Sequence, residues 1–245
     1  MLKCLPSDGA NWKIPEEEIA KRLDLRHECI CSVDPIGCKD IDDALHCKIL
    51  PNGNYEVGVH IADVTHFVRP NSEIDREAAR RCTTVYLVEK RTDMLPGLLT
   101  ENLCSIRGGV ERLTFSVIWE IDSKTFKAVK TDYRKTVIKS RAALDYYTAQ
   151  DMINNPADHS DLTESLRGLL KIATVLRNRR NEQGALTLAS PEIKFKLDVD
   201  RENPTDASEY KHVDTHFMIE EFMLLANIAV AEKIVSHYPS FSILR

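Results

Sequence analysis

The sequence predicts an α+β domain built on a mixed sheet with long packed helices. Segments with strand-like alternation fill most of the first 140 residues, whereas the longest helical repeats begin only after residue 160. A chain of 245 residues, 43% hydrophobic and 29% charged, is long enough to bury a sizeable core. No internal repeat or low-complexity tract suggests another architecture.

The elements can be justified in chain order. Residues 1–26 contain Pro6, Gly9 and Pro15 before a polar helical stretch, so they are expected to form a lead-in packed on a domain of residues 27–245. Asn52-Gly53 between two alternating runs predicts a hairpin. Apolar periodicity and capping residues predict the remaining elements: strands 30–33, 45–50, 55–61, 83–88, 113–121, 128–138 and 193–197, and helices 73–81, 141–153, 162–183 and 217–235. Ser72 and Asp161 are the expected caps of the first and third of these helices, and the last, which is apolar on most sides, is expected to be buried.

Charge and cysteine content narrow the function classes. A net charge of −5 argues against a general nucleic-acid coating protein, although residues 122–141 hold a local basic track. Arg177, Arg179 and Arg180 end a predicted helix, where the macrodipole favours cations. The seven cysteines include no C-x-x-C pair, which argues against a disulfide framework or a regular zinc site.

Two further observations concern metals and membranes. Cys29 and Cys31, with His27 and His46 nearby, are a weak indication of a metal site. The alternative is that these cysteines are ordinary reduced thiols that are mostly buried. No segment approaches the length of a transmembrane helix, and no signal peptide opens the chain. We therefore expect an intracellular protein with no membrane partner.

Four aspartates lie within ten residues: Asp34, Asp40, Asp42 and Asp43. Two carboxylates held about 4 Å apart repel by about 1 kcal/mol in water and about 4 at an effective dielectric of 20, so a fold that gathers all four needs a cation. Magnesium suits such oxygen ligands. Strand alternation would place Asp43 opposite its neighbours, so the four can surround one point only from a bent loop.

The spacing of these aspartates leaves a second interpretation open, that of a solvated acidic turn. Loops are commonly acidic, and four carboxylates in solvent need no ligand. An EF-hand is excluded, because the required D-x-D-x-D-G order is absent.

The local sequence resembles the RNB domain of the RNase II and RNase R exoribonuclease superfamily. Within that family it is most similar to the eukaryotic branch that supplies the catalytic subunit of the RNA exosome. The resemblance runs from about Leu5 to Arg245. It is carried by these segments: SVDPIGCKDIDDALH (32–46), VHIADVTHFV (59–68), RRCTTVYL (80–87), MLP (94–96), NLCSI (102–106), GAL (184–186) and EEFMLLAN (220–227).

The resemblance implies a metal-dependent, processive 3′-to-5′ exoribonuclease that hydrolyses single-stranded RNA to nucleoside 5′-monophosphates in RNA processing and decay. It implies that Asp34, Asp40 and Asp42 bind catalytic Mg²⁺, with Mn²⁺ as a possible substitute. Asp43 would be a further ligand or would position the attacking water, so Asp42 and Asp43 are the expected catalytic residues. Two metals can stabilise the attacking and leaving oxygens of such a reaction together.

Four further residues are expected to contact RNA. Tyr86 lies where the family places an aromatic that stacks on the 3′-terminal base. Tyr146 and Glu220 lie where bacterial members contact the ribose and favour RNA. A buried ion pair is the alternative for Glu220, which is expected to be buried in an apolar helix. Leu188 replaces a phenylalanine that closes the base stack in the bacterial enzyme.

The resemblance also concerns what the sequence lacks. No Ser-Pro-x-Arg-Arg-Tyr-like segment, OB-fold or upstream endonuclease domain is recognisable, so we expect a fragment that ends inside the catalytic domain. Its activity in isolation is left open. In the full-length parent we expect exosome core subunits as partners and a location in nucleus, cytoplasm or both. The alternative is a non-catalytic RNB-like module that binds RNA or proteins; the intact aspartates favour the enzyme.

Overall fold

The computed structural model describes residues 5–87, 91–186, 193–197, 204–209 and 211–242. Its centre is a mixed seven-stranded sheet with the order β1-β8-β7-β4-β3-β2-β9. The strands are β1 (Leu23–Leu25), β2 (Cys31–Asp34), β3 (Asp43–Ile49), β4 (Tyr55–Ala62), β5 (Val85–Tyr86), β6 (Arg91–Thr92), β7 (Glu111–Ile121), β8 (Ala128–Lys139), β9 (Ala142–Asp145), β10 (Ile193–Leu197) and β11 (Pro204–Glu209). The helices are α1 (Glu16–Ala20), α2 (Glu73–Arg81), α3 (Tyr146–Asn154), α4 (Asp161–Glu182) and α5 (Asp214–His237).

Antiparallel pairs form the middle of this sheet and parallel pairs its two edges. β3, β4, β7 and β8 pair antiparallel in succession. The β3–β4 turn contains Gly53 at φ +84°, a conformation that favours glycine, as the Asn-Gly signal predicts. β1 pairs parallel with β8, and β9 pairs parallel with β2. The predicted α+β class with a mixed sheet and long helices is confirmed.

Two apolar cores fix the sheet in place. In the larger one, side chains of α4 and α5 such as Leu166 and Phe222 pack with Trp119 of β7, and all three are almost fully buried. The smaller core includes Ile30 and Ile106, with the lead-in residue Trp12 packed against it. The first 26 residues thus contact the smaller core through Trp12, and their last part enters the sheet as β1.

A row of buried polar side chains crosses four strands of the sheet. His46 and His60 share a hydrogen bond of 2.8 Å, and His60 shares another of 2.7 Å with Ser116, which is bonded in turn to Thr136. A Cβ added at Gly58 would lie 2.3 Å from the His46 ring, so only glycine leaves room for the paired imidazoles. These bonds satisfy polar groups that would otherwise be costly to bury.

Several predicted elements change in the structure. The predicted helix 141–153 is wrong over its first residues, because Ala142–Asp145 pairs with β2 and the helix starts only at Tyr146. The predicted strand 83–88 shortens to Val85–Tyr86 among the described residues. Ser160 caps α4, where Asp161 was expected. β1, β11 and a π-helical turn at Leu98–Leu103 were not predicted.

The last long helix differs from its prediction in burial. α5 buries Met218, Phe222 and Ala226, whereas Ile228 and Ile234 near its end are exposed. None of the helices described, α5 included, combines the length and hydrophobicity that a membrane crossing requires.

Candidate metal and nucleic-acid site

The four aspartates lie at one turn of the sheet. Asp34 is the last residue of β2, Asp43 is the first of β3, and Asp40 and Asp42 lie in the connecting loop. Gly37 bends this loop with φ +80°. The loop arrangement is the one that the spacing requires if the four carboxylates are to approach one another.

A serine from the following loop fixes the turn. Ser105, which is fully buried, donates a hydrogen bond of 2.7 Å to the carbonyl of Lys39 and accepts one of 3.2 Å from the amide of Ile41. The buried side chain of Ile41 packs into the smaller core. The backbone between Asp40 and Asp42 is therefore positioned by contacts with the rest of the domain.

Asp34, Asp42 and Asp43 lie in an environment that disfavours their charge. Burial, with Asp43 and Asp42 nearby, raises the pKa of Asp34 to about 7. Burial and the charge of Asp42 raise the pKa of Asp43 to about 6. The pKa of Asp42 also shifts upward, through burial and then the charge of Asp40. Asp34 and Asp43 are partly buried next to other carboxylates, and only Asp42 of the four is exposed, so the cluster is unlike a fully solvated acidic turn.

The arrangement suits a hard divalent cation. The Oδ2 atom of Asp34 is buried and has no hydrogen-bond partner among the described residues, so it is an oxygen available for a ligand. Among the described residues, no three His, Cys, Asp or Glu side chains are grouped tightly enough to enclose a metal. The same finding covers Cys29 and Cys31, so the structure groups no metal site around them. Magnesium does not require such a cage, because it usually keeps several waters and takes one or two carboxylates.

Arg91 compensates one of the four charges. Its Nη1 atom lies 2.7 Å from Oδ1 of Asp40, and its Nε atom lies 2.7 Å from Oδ1 of Asp93. No local pattern indicates this contact, since Arg91 is 51 positions beyond Asp40. The predicted ligand set of Asp34, Asp40, Asp42 and Asp43 stays a prediction, with Asp40 shared between Arg91 and any metal.

Tyr86 lies beside the aspartate turn. It belongs to β5, where it pairs with Arg91 of β6, and its side chain is 71% exposed. A cavity of about 380 Å³ is lined by Tyr86 together with Asp40 and Asp42. An exposed aromatic at the wall of an acidic cavity is suited to stacking on a base.

Tyr146 lies on the other flank of the turn. It follows Asp145, which is paired with Asp34 across β9 and β2 and caps α3 through the amides of Tyr147 and Thr148. The Tyr146 ring stacks on His216 of α5 at 3.9 Å between centroids. A smaller cavity, of about 200 Å³, has Asp34 and Asp145 in its wall.

The expected burial of Glu220 is wrong. Its side chain is 49% exposed and lies 3.2 Å from Arg180, whereas the neighbouring Glu221 is 4% exposed and lies 2.6 Å from the same guanidinium. The buried carboxylate of α5 that pairs with Arg180 of α4 is therefore that of Glu221, because a one-residue step turns a helical side chain by about 100°. Leu188 lies outside the described residues.

Several of the basic side chains noted in the sequence contact other groups of the protein. Lys135 lies 3.1 Å from the buried Asp63, and Arg179 donates to the carbonyl of Phe126. Arg177 lies 3.5 Å from the ring of Phe217. The basic track of residues 122–141 is carried by β8 and the turn before it, three strands from β3, so it does not line the two cavities at the aspartates.

The raised carboxylate pKa values give a pH-dependent stability. In metal-free protein Asp34 and Asp43 contribute a fall in the free energy of unfolding as pH rises from about 4 to about 7, because in the folded state they keep protons that the unfolded carboxylates, with pKa about 3.9, have lost. Burial holds the pKa of His60 well below its usual range and contributes in the opposite direction, so the comparison with Asp34→Asn isolates the carboxylate. Asp34→Asn should reduce this fall by about 1–2 kcal/mol, allowing for partial exposure. Urea unfolding at four pH values, with EDTA, measures both proteins; parallel curves would contradict the assigned burial.

Comparisons with a family model and with curated proteins point to the same family. The model of the RNB domain matches residues 22–245. The exosome complex exonuclease RRP44 of Mus musculus is 54% identical over 234 residues, covering 96% of this chain and 24% of that relative. The chain thus spans about a quarter of the length of such curated relatives.

Two solved structures are similar in fold. RNase R of Mycoplasma genitalium, in complex with ribose-methylated single-stranded RNA, superposes with a TM-score of 0.84 at 28% identity, covering 93% of this chain and 36% of that one. The structure of yeast Ssd1, described as a pseudonuclease, gives a TM-score of 0.72 at 25% identity, covering 92% of this chain and 27% of that one.

Proposed function

The chain belongs to the RNB domain family, and from that membership we propose that it is the metal-bearing part of a processive 3′-to-5′ exoribonuclease acting on single-stranded RNA. The observation that carries this proposal is the cavity that Tyr86 shares with Asp40 and Asp42, which combines a stacking surface with carboxylates. The names of the relatives support it, since one is an exosome exonuclease and another is an RNase R bound to RNA.

Each aspartate has a proposed part in hydrolysis. Asp34, Asp40 and Asp42 hold Mg²⁺, for which Mn²⁺ can substitute, and Asp43 is a further ligand or orients the attacking water. The bound metal would supply Lewis-acid stabilisation of the phosphate and a more acidic water. The unpartnered oxygen of Asp34 and the raised pKa values of Asp34 and Asp43 support this assignment, because a bound cation would offset the cost of burying their negative charge.

The RNA contacts flank this centre. Tyr86 stacks on the 3′-terminal base, an interaction that does not depend on the identity of the base. Tyr146 and Glu220 approach the ribose. A 2′-hydroxyl can both donate and accept a hydrogen bond, so polar groups at this position favour RNA over DNA. The exposure of Glu220 leaves one face of its carboxylate accessible beside Arg180.

The wider context is proposed from the relatives. The released products are nucleoside 5′-monophosphates, and the pathway is RNA processing and decay. Exosome core subunits are the proposed partners of the complete protein, with a place in the nucleus, the cytoplasm or both. The name of the Mus musculus relative supports the assignment to an exosome.

A non-catalytic RNB-like module is the second candidate, and a specific observation favours it. The chain is similar in fold to yeast Ssd1, described as a pseudonuclease, so the fold alone does not establish catalysis. The four aspartates at the turn favour the enzyme, because a module that only binds RNA gains nothing from clustered carboxylates that repel phosphate.

A polarity experiment separates these candidates. In the complete gene product with Mg²⁺, RNA labelled at its 5′ end should be shortened from the 3′ end to a short labelled residual oligomer with few intermediates, while unlabelled mononucleotides are released. DNA of the same sequence should resist, and EDTA should stop cleavage of RNA, because the carboxylates alone cannot activate water. Shortening from the 5′ end, or equal loss of DNA, would contradict the enzyme. Binding without cleavage would support the module.

A further inference from the structure

We propose that Arg91 is a positioning residue that couples the stacking strand of Tyr86 to the aspartate turn through Asp40. This inference rests on the proposed function. It explains how the proposed site would keep the terminal base at a fixed distance from the metal-binding carboxylates. None of the roles expected from the sequence includes Arg91.

The contacts of Arg91 connect two separate parts of the site. Its backbone pairs with Tyr86 in the short β5–β6 ladder, whereas its guanidinium reaches Asp40 at 2.7 Å on the aspartate turn. The same guanidinium contacts Asp93 at 2.7 Å and Glu101 at 3.5 Å. One residue therefore joins the strand pair, the aspartate turn and the π-helical turn behind the cavity.

The strand pair has few other means of staying in place. β5 and β6 pair over two residues each and form their own sheet, separate from the main one. Val85, Tyr86 and Leu87 are all exposed, so little apolar burial holds β5 against the domain. A guanidinium with 24% of its side chain exposed, paired with a carboxylate of equal exposure, is screened less by salt than a pair on the open surface.

The geometry leaves Asp40 free to bind metal at the same time. The contact of Arg91 goes to Oδ1, which leaves Oδ2 for another ligand. The planar guanidinium also contacts two carboxylates at once, through Nη1 to Asp40 and Nε to Asp93. The single ammonium of a lysine cannot donate in both of these fixed directions. Arg91 therefore fixes the orientation of the Asp40 carboxylate without replacing its function as a ligand.

The test measures stacking without catalysis. The complete gene product is bound to RNA that carries 2-aminopurine as its 3′-terminal base, in EDTA, and quenching of its fluorescence reports stacking on Tyr86. Arg91→Met should abolish most of the quenching and weaken affinity about fivefold, the lower end of what one stacked base contributes. Asp40→Asn should do the same, whereas Asp132→Asn, at an exposed carboxylate of β8 that pairs with Lys130, should keep the quenching.

Combining the substitutions distinguishes coupling from a general loss of structure. If Arg91 acts through Tyr86, the Tyr86→Ala/Arg91→Met double variant should bind no more than about twofold more weakly than Tyr86→Ala alone. Arg91→Lys should recover part of the quenching. Arg76→Met is the matched control, because that arginine pairs with Glu73 on the surface of α2.

Two outcomes in the variants overturn the proposal, and they differ from failure of the proposed function. Full quenching in Arg91→Met, or affinity losses that multiply in the double variant, would show that Arg91 does not act through Tyr86. If the unmutated protein quenches 2-aminopurine but does not shorten RNA from its 3′ end, the enzyme assignment fails while the coupling stands. If it shows no quenching, the stacking role of Tyr86 and the coupling fail together.

Discussion

Asp42→Asn should abolish RNA cleavage in the complete gene product while leaving RNA affinity unchanged or slightly improved. Asp42 lies in the wall of the cavity, and its carboxylate is expected to act on the transition state, through metal and water, more than on bound RNA. Loss of one preorganised electrostatic group typically lowers kcat about 10²–10³-fold. Affinity can improve because one negative charge facing the phosphates is removed. Asp43→Asn should behave in the same way.

Single-turnover cleavage and equilibrium binding decide this prediction together. Asp132→Asn makes the same chemical change on the exposed part of β8, where Asp132 pairs with Lys130, and should leave both measurements unaltered. Mg²⁺ should raise the melting temperature of the unmutated protein, since a ligand that binds the folded state stabilises it, and Asp42→Asn should remove most of that gain. Cleavage at the unmutated rate in Asp42→Asn would refute the site.

Local signals in the sequence were sufficient for the antiparallel half of the sheet and for the acidic turn. The Asn52-Gly53 turn defines β3 and β4, and the spacing of the aspartates requires a bent loop, because strand alternation cannot bring them together. Both predictions depend on neighbours within a few residues. The same is true of Ser72, whose hydroxyl accepts a hydrogen bond from the amide of Asp75 and caps α2 as predicted.

Non-local contacts determined what the sequence did not reveal. Ala142–Asp145 reads as the start of a helix, yet it pairs in parallel with β2, about 110 positions earlier in the chain, and tertiary pairing overrides the local preference. Glu220 and Glu221 look alike in a mostly apolar helix, and only packing against α4 decides which is buried. Arg91 is one of many arginines until folding places it beside Asp40.

Tyr86→Ala should leave measurable cleavage but release RNA early, so that the final products become longer. An exposed ring at the cavity wall contributes to how the substrate is held, and removing one stacked base should weaken RNA affinity by about 1–3 kcal/mol, or about 5- to 150-fold. Because stacking is a binding interaction present before the reaction, KM should rise more than kcat falls. This pattern is the reverse of that expected for Asp42→Asn.

The comparison of end products on a sequencing gel makes the distinction sharp. Tyr86→Phe retains the ring and loses only the hydroxyl, so it should keep the short residual oligomer of the unmutated protein, whereas Tyr86→Ala should accumulate longer ones. Measuring cleavage rate and RNA affinity separately for each variant then assigns Asp42 to the chemical step and Tyr86 to retention of the 3′ end. If Tyr86→Ala yields the unmutated products with unmutated affinity, the ring does not contact the terminal base, and the exposed position beside Asp40 has another purpose.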